Sequence, residues 1–227
     1  MEYLEGKILL IDKPLEWTSF DVVNKIRNKI KRTFNIKKIK VGHAGTLDPL
    51  ATGLMIVCTG RETKNIDNYQ GLEKEYIAKV RLGATTPSCD LETEPDELFS
   101  YQHVTEELIR EKLSEFKGEI LQTPPVYSAK KIDGERAYKM ARKNIEVKMR
   151  QTLVTIHEIE LVSVELPDFT IRVSCSKGTY IRSLAVDLGK ALNSGAHLAN
   201  LCRTRIGDFM LKDAISIKDF EEILDKA

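Results

Sequence analysis

Apolar and polar positions along the chain switch between two periods, and the switches lay out its elements. Lys7-Ile8-Leu9-Leu10-Ile11 is a short apolar run ended by Asp12-Lys13-Pro14, which predicts a first strand. Val23, Ile26 and Ile30 follow at helical spacing, so a helix capped by Ser19 is expected. Leu54-Met55-Ile56-Val57-Cys58 is continuous, as in a buried strand. From Lys74 to Gly83 the pattern alternates, with Tyr76, Ala78, Val80 and Leu82 on one face. Thr105 heads a helical stripe through Leu108, Ile109, Leu113 and Phe116; Gly118 stops it, and Glu119–Gln122 reads as a short strand. Residues 147–166 are β-rich, and Phe169, Ile171, Val173 and Cys175 alternate as the next strand. Thr179 is placed to cap a helix through Ile181, Leu184, Leu188 and Leu192. Ser216 and Asp219 form a capping pair before Phe220, Ile223 and Leu224. The acidic stretch Thr86–His103 has neither period and reads as a loop.

Charge changes the picture only through its placement. The 227-residue chain carries a formal net charge of +1, which says nothing about a polyanionic partner. Residues 88–119, however, hold three basic and ten acidic side chains, residues 128–150 eight basic and three acidic, and residues 172–205 six basic and one acidic. A further basic run, Lys25, Arg27, Lys29, Lys31 and Arg32, continues through Lys37, Lys38 and Lys40. Such segregation is a moderate hint of a nucleic-acid partner, though a solvated helix face has the same composition. Cys58, Cys89, Cys175 and Cys202 are scattered without a CxxC pair, so no metal site is expected. No secretory leader and no bilayer-length apolar stretch is visible, and a reduced, cytoplasmic setting is expected.

Gly42-His43-Ala44-Gly45-Thr46-Leu47-Asp48-Pro49-Leu50-Ala51-Thr52-Gly53 runs directly into the continuous apolar strand. Its glycines permit positive φ and close backbone approach, and Pro49 keeps Asp48 out of the helical region. The result is a lone acid on a stiff, irregular segment beside a core strand. By residue type alone such a segment is most often a turn, and neither the Walker nor the Rossmann spacing is present.

Residues Gly42–Gly60 with Arg61 closely resemble the signature of the TruB family of tRNA pseudouridine-55 synthases. Further motifs recur in order. Lys13-Pro14-Leu15-Glu16-Trp17-Thr18-Ser19 matches a family pattern in which Glu16 stands where glycine is usual. Lys74-Glu75-Tyr76 matches a second motif. Thr85-Thr86-Pro87-Ser88-Cys89-Asp90-Leu91-Glu92 keeps the acid of a third and loses its final glycine. The remaining matches are Pro124-Pro125-Val126-Tyr127-Ser128-Ala129-Lys130-Lys131, Lys177-Gly178-Thr179-Tyr180-Ile181-Arg182 and Ala196–Gly207.

The resemblance implies a single α/β (α+β) catalytic domain over residues 1–227. It would be built on a mixed, mostly antiparallel sheet, with an RNA-clamping insertion near 124–150 and no room for a C-terminal PUA-type domain. It implies that uridine in the T-loop of tRNA is isomerised to pseudouridine by a monomeric protein. The reaction imports no bond energy, so no metal, nucleotide or redox cofactor is implied. Asp48 would be the nucleophile, Arg182 its ionising and orienting partner, and Tyr76 the ring against the base. Tyr180 and Leu201 would line the uracil pocket. A stacked uridine must first be flipped out, and His43 is the candidate for filling the gap or positioning the base. Lys130 and Lys131 would contact RNA; Arg203 and Arg205 read as surface basic residues with phosphate contacts as the sharper role. Two alternatives stay open: a tRNA-folding chaperone with little turnover, and a synthase acting on another RNA.

Overall fold

The computed structural model describes residues 2–128, 130–132, 135–137, 140 and 149–226. Its elements in chain order begin with α1 (Glu2–Glu5), β1 (Ile8–Lys13), α2 (Ser19–Thr33), β2 (Val41–His43) and β3 (Ala51–Thr59). A 3-10 turn (Gly60–Asn65) leads to α3 (Ile66–Gly71), β4 (Lys74–Leu82), β5 (Ala84–Thr85), β6 (Glu97–Leu98), α4 (Glu106–Glu115) and β7 (Gly118–Gln122). Then come β8 (Lys131–Ile132), β9 (Glu135–Arg136), β10 (Thr152–Glu165), β11 (Asp168–Cys175), α5 (Ile181–Ala191), β12 (Ala196–Ile206), β13 (Phe209–Met210) and α6 (Ile217–Asp225). The main sheet is mixed and mostly antiparallel, as expected from the resemblance, and helices flank it. The chain divides into two compact units, residues 1–76 with 201–227 and residues 77–200.

In the first unit β3 is central. It pairs antiparallel with β1, from Ile8 opposite Cys58 to Lys13 opposite Gly53, and parallel with β12 from Leu201 opposite Ala51 to Arg203 opposite Gly53. Eight of its nine residues are buried, which explains its continuous apolar sequence. Ala44, Leu54, Ile56, Cys58 and Ile206 form a core against which Ile8, Tyr69 and Phe209 pack. α2 buries Val22, Val23, Ile26 and Ile30, the stripe its spacing predicts. Its N-cap is Thr18 rather than Ser19: Thr18 Oγ1 accepts from the Asp21 N–H, and the Asp21 carboxylate accepts from the Thr18 N–H. Ser19 has another task, described below.

In the second unit the strand order is β4–β11–β10–β7. Glu165 pairs with Asp168 at the hairpin end of β10 and β11, and Thr152 with Gln122 across β10 and β7. Ala78, Val80, Leu82, Phe169, Ile171, Val173 and Cys175 are all buried, in the alternation read from the sequence. α4 is capped by Thr105 as predicted and buries Ile109 and Leu113. The acidic stretch after Thr86 is mostly irregular but includes β6, which pairs with β5.

Candidate active site

Asp48 sits on the loop between β2 and β3, half-exposed, with its own carbonyl accepting from the Ala51 N–H at 3.1 Å. The loop is braced from three directions. Ser19 Oγ both accepts from the Leu47 N–H (2.9 Å) and donates to the Leu47 carbonyl (3.0 Å), so a residue read as a helix cap instead pins the residue before Asp48. Lys13 is fully buried, and its Nζ donates to the carbonyls of Pro14 (2.8 Å), Trp17 (2.6 Å) and Pro49 (3.2 Å). The Pro49 carbonyl also accepts from the Glu16 N–H at 2.9 Å.

The third brace is Arg203. It is only 1% exposed, and its guanidinium donates from Nε to Leu54 O (2.7 Å) and from Nη2 to Gly45 O (3.1 Å). The expectation of a surface residue is therefore corrected: β12 runs beside β3, so position 203 points into the sheet interior. Arg205 is likewise engaged, donating to the carboxylate of Glu73 and to Gly207 O (3.0 Å), with Glu75 at 3.9 Å.

Two buried cations beside one loop have electrostatic consequences. Burial lowers the Lys13 pKa to about 8; the Asp48 carboxylate opposes that fall and the Arg203 charge adds to it. His43, half-buried at the end of β2, is held below its ordinary pKa, first by burial and then by the Arg203 charge. Its Nδ1 is buried and has no hydrogen-bond partner among the described residues. Tyr76 (8% exposed) and Leu201 (7% exposed) belong to the same unit, and Leu201 lies opposite Ala51, three residues after Asp48.

The second unit carries Tyr180 and Arg182. Tyr180, not Thr179, is the N-cap of α5; Thr179 Oγ1 turns back to the Ser176 carbonyl at 2.9 Å. The cap is held by a side chain from β7. The Gln122 amide accepts from the Tyr180 N–H (2.8 Å) and donates to the Tyr180 carbonyl (3.1 Å), as a paired strand would. Arg182 is 3% exposed and donates from Nη1 to Ser88 O (3.0 Å) and from Nη2 to Tyr127 O (2.9 Å). Asp90, 5% exposed, lies 3.7 Å from its Nε and accepts from the Glu92 N–H at 2.9 Å. Asp90 beside Arg182 and Lys13 beside the Asp48 loop are further candidate site residues, brought there by contacts that local spacing does not show.

Lys130 donates to Thr152 Oγ1 at 3.0 Å, and Lys131 lies in the β8–β9 hairpin. Gly134, Tyr138, Ala141 and Arg142 of the same motif lie outside the described residues. Among the described residues no cluster of His, Cys, Asp and Glu is arranged to hold a metal, and no helix is long and apolar enough to cross a membrane. All four cysteines are free thiols, with Cys58 and Cys175 buried in the core as their apolar surroundings predict.

The chain that carries this loop is similar to known proteins along its length. The sequence profile of the TruB family pseudouridylate synthase N-terminal domain matches residues 31–181. That of the tRNA pseudouridylate synthase B C-terminal domain matches residues 182–227. The tRNA pseudouridine synthase B of Phocaeicola vulgatus is 58% identical over 226 residues, covering 100% of this chain and 96% of its own length. That of Parabacteroides distasonis is 56% identical, with the same coverage. Among solved structures, a chain of a Cbf5–Nop10–Gar1 complex superposes with a TM-score of 0.71 at 30% identity. The match covers 97% of this chain and 54% of that one. The chain belongs to the TruB family of pseudouridylate synthases.

Proposed function

We propose that this protein isomerises uridine-55 in the T-loop of tRNA to pseudouridine, with Asp48 as the nucleophile. The observation that carries the reading is the setting of Asp48: a half-exposed carboxylate whose neighbours Leu47 and Pro49 are both pinned by buried side chains. A group fixed in this way keeps one orientation relative to an incoming sugar, which is what an attacking oxygen needs.

In the reaction the C1′–N1 bond breaks, the uracil turns over, a C1′–C5 bond forms, the C5 proton leaves and N1 takes up a proton, so the product is an isomer of the substrate. Asp48 either attacks C1′ or assists formation of a glycal, and both routes require an ionised carboxylate beside the sugar. Tyr76 packs on the base, Leu201 and Tyr180 wall it, and His43 fills the space left in the RNA stack. Arg182 keeps Asp48 ionised and oriented. Lys130, Lys131 and the segment around them hold the RNA backbone, and the protein works as a monomer in the cytoplasm. Arg203, being interior, serves the reaction by holding Gly45 rather than by touching phosphate.

The test is to map pseudouridine in tRNA before and after incubation with the purified protein and with Asp48→Asn. Wild type should convert position 55, and the variant should lose at least about a thousandfold in single-turnover rate while still binding tRNA. Turnover by the variant at the wild-type rate would remove Asp48 from the chemistry. Absence of position-55 conversion by wild type would remove the substrate assignment.

A further inference from the structure

A cleft of about 620 Å³ opens in the first unit at the far end of β3 from Asp48, and its lining is almost wholly basic. α2 supplies Arg27 and Lys31, the loop before β2 supplies Lys37, Lys38 and Lys40, and the 3-10 turn supplies Arg61 and Lys64. Leu4 and Ile39 give it an apolar floor, and no acidic side chain lines it. The nearest candidate counter-charge on the turn, Glu62, is taken up by Tyr69 and by Asn65, which donates at 3.0 Å. Arg27 is bonded only to neutral oxygens, Asn24 Oδ1 at 2.8 Å and Val41 O at 3.0 Å. Lys37, Lys38, Lys40, Arg61 and Lys64 are exposed. Seven like charges around one cleft repel one another, and a bound polyanion relieves that repulsion.

The cleft is also at a fixed distance from the chemistry. Ala51, at the start of β3, donates its N–H to the Asp48 carbonyl, and Gly60, just past the strand's end, donates its N–H to the Lys40 carbonyl at 2.9 Å. The strand between them spans roughly 26 Å at about 3.3 Å per residue. That length corresponds to on the order of eight base pairs at a rise of about 3.4 Å, or slightly more pairs in the more compact RNA helix.

We propose that this cleft binds the phosphate backbone of the RNA duplex some eight base pairs from the flipped uridine, so that the protein measures stem length as well as loop identity. The inference rests on the tRNA-modifying reading above. It predicts a contact that a minimal hairpin is too short to make.

Two hairpins with the same T-arm loop test it, one with a stem of about five base pairs and one of about twelve. Their dissociation constants are measured by fluorescence anisotropy, and pseudouridine is mapped in both. Wild type should bind the long hairpin about tenfold more tightly, with a salt slope steeper by about two. Lys37→Glu combined with Lys38→Glu, both on an exposed loop, should erase that preference and change affinity for the short hairpin less than twofold. Lys37→Gln with Lys38→Gln should fall between. Equal wild-type affinities for the two hairpins, or a long-stem preference that survives charge reversal, would overturn the proposal while leaving the enzyme reading intact if the short hairpin is still modified. If wild type modifies neither hairpin, the enzyme reading itself has failed and the cleft proposal with it.

Discussion

Lys13 and Arg203 stand in one row of the sheet on either side of Gly53. Lys13 is its antiparallel partner on β1, and Arg203 its parallel partner on β12. Neither cation has solvent to rely on: the first is 0% exposed and the second 1%. Each is satisfied by backbone carbonyls of the Asp48 loop or its flanks, so the same bonds that stabilise the cations fix the loop.

The Lys13 ammonium should leave a mark on the pH profile. With its pKa lowered to about 8, it loses a proton, and with it a donor, just above physiological pH. Single-turnover rate is expected to decline with an apparent pKa near 8, and Lys13→Met, slower at pH 7, should lack that limb. Unfolding does not account for the decline. The unfolded chain holds this proton up to the ordinary lysine value of 10.5, so between about 8 and 10.5 this group makes stability rise with pH. A wild-type rate that is flat from pH 7 to 9 would show that the bracing does not need the charge.

Arg182 separates charge from geometry. Lysine keeps the charge but loses the planar fork, whereas methionine keeps much of the stem and loses both. The expected single-turnover order is wild type, then Arg182→Lys, with Arg182→Met far slower and its acid limb shifted upward because Asp48 protonates more readily. Both variants lose donors to Ser88 O or Tyr127 O, so rates are compared after circular dichroism has confirmed the fold. Equal rates for wild type and methionine would detach Arg182 from the chemistry.

Glu16 has a φ of 66°, the left-handed region glycine favours. A non-glycine residue in this conformation bears backbone strain. Glu16→Gly should therefore stabilise the protein by about 1 kcal/mol, raising the melting temperature by roughly 2–4 °C. A lower melting temperature would mean that the Glu16 side chain contributes more than its backbone costs.

Gly53 predicts the opposite sign. Its φ is 100°, and a Cβ there would lie 2.4 Å from the carbonyl oxygen of Arg203. Gly53→Ala has to part β3 from β12 or twist the loop, and a loss of more than about 2 kcal/mol is expected in denaturant unfolding. A variant as stable as wild type would show that the three-strand row yields easily.

Much of this was legible in the sequence, for a local reason. Strand and helix periods depend on neighbouring residues, so β3, β4, β11 and the buried stripe of α2 were all readable. Asp48 was readable because a long, ordered motif surrounds it. What could not be read were partners set by register. Local spacing makes Ser19 a helix cap, because Leu47, its partner, lies 28 residues away. Arg203 looked like surface because its acceptors, Leu54 O and Gly45 O, are 149 and 158 residues distant. Asp90 was noted only as a surviving motif residue, since nothing local brings it to Arg182.

The seam between β7 and α5 has a consequence for how the insertion after it can vary. Gln122 grips both backbone groups of Tyr180, Ser183 Oγ donates to Thr123 O at 2.7 Å, and Arg182 donates to Tyr127 O. Gln122, Thr123 and Tyr127 are thus stitched to the same helical turn that carries Arg182. Among the described residues beyond Tyr127, Lys130 bonds instead to Thr152 on β10. Segments of different length or sequence can be spliced in beyond Tyr127, and the guanidinium keeps its setting. An engineer retargeting this enzyme to another RNA has a natural graft point there, just beyond the residues that hold Arg182.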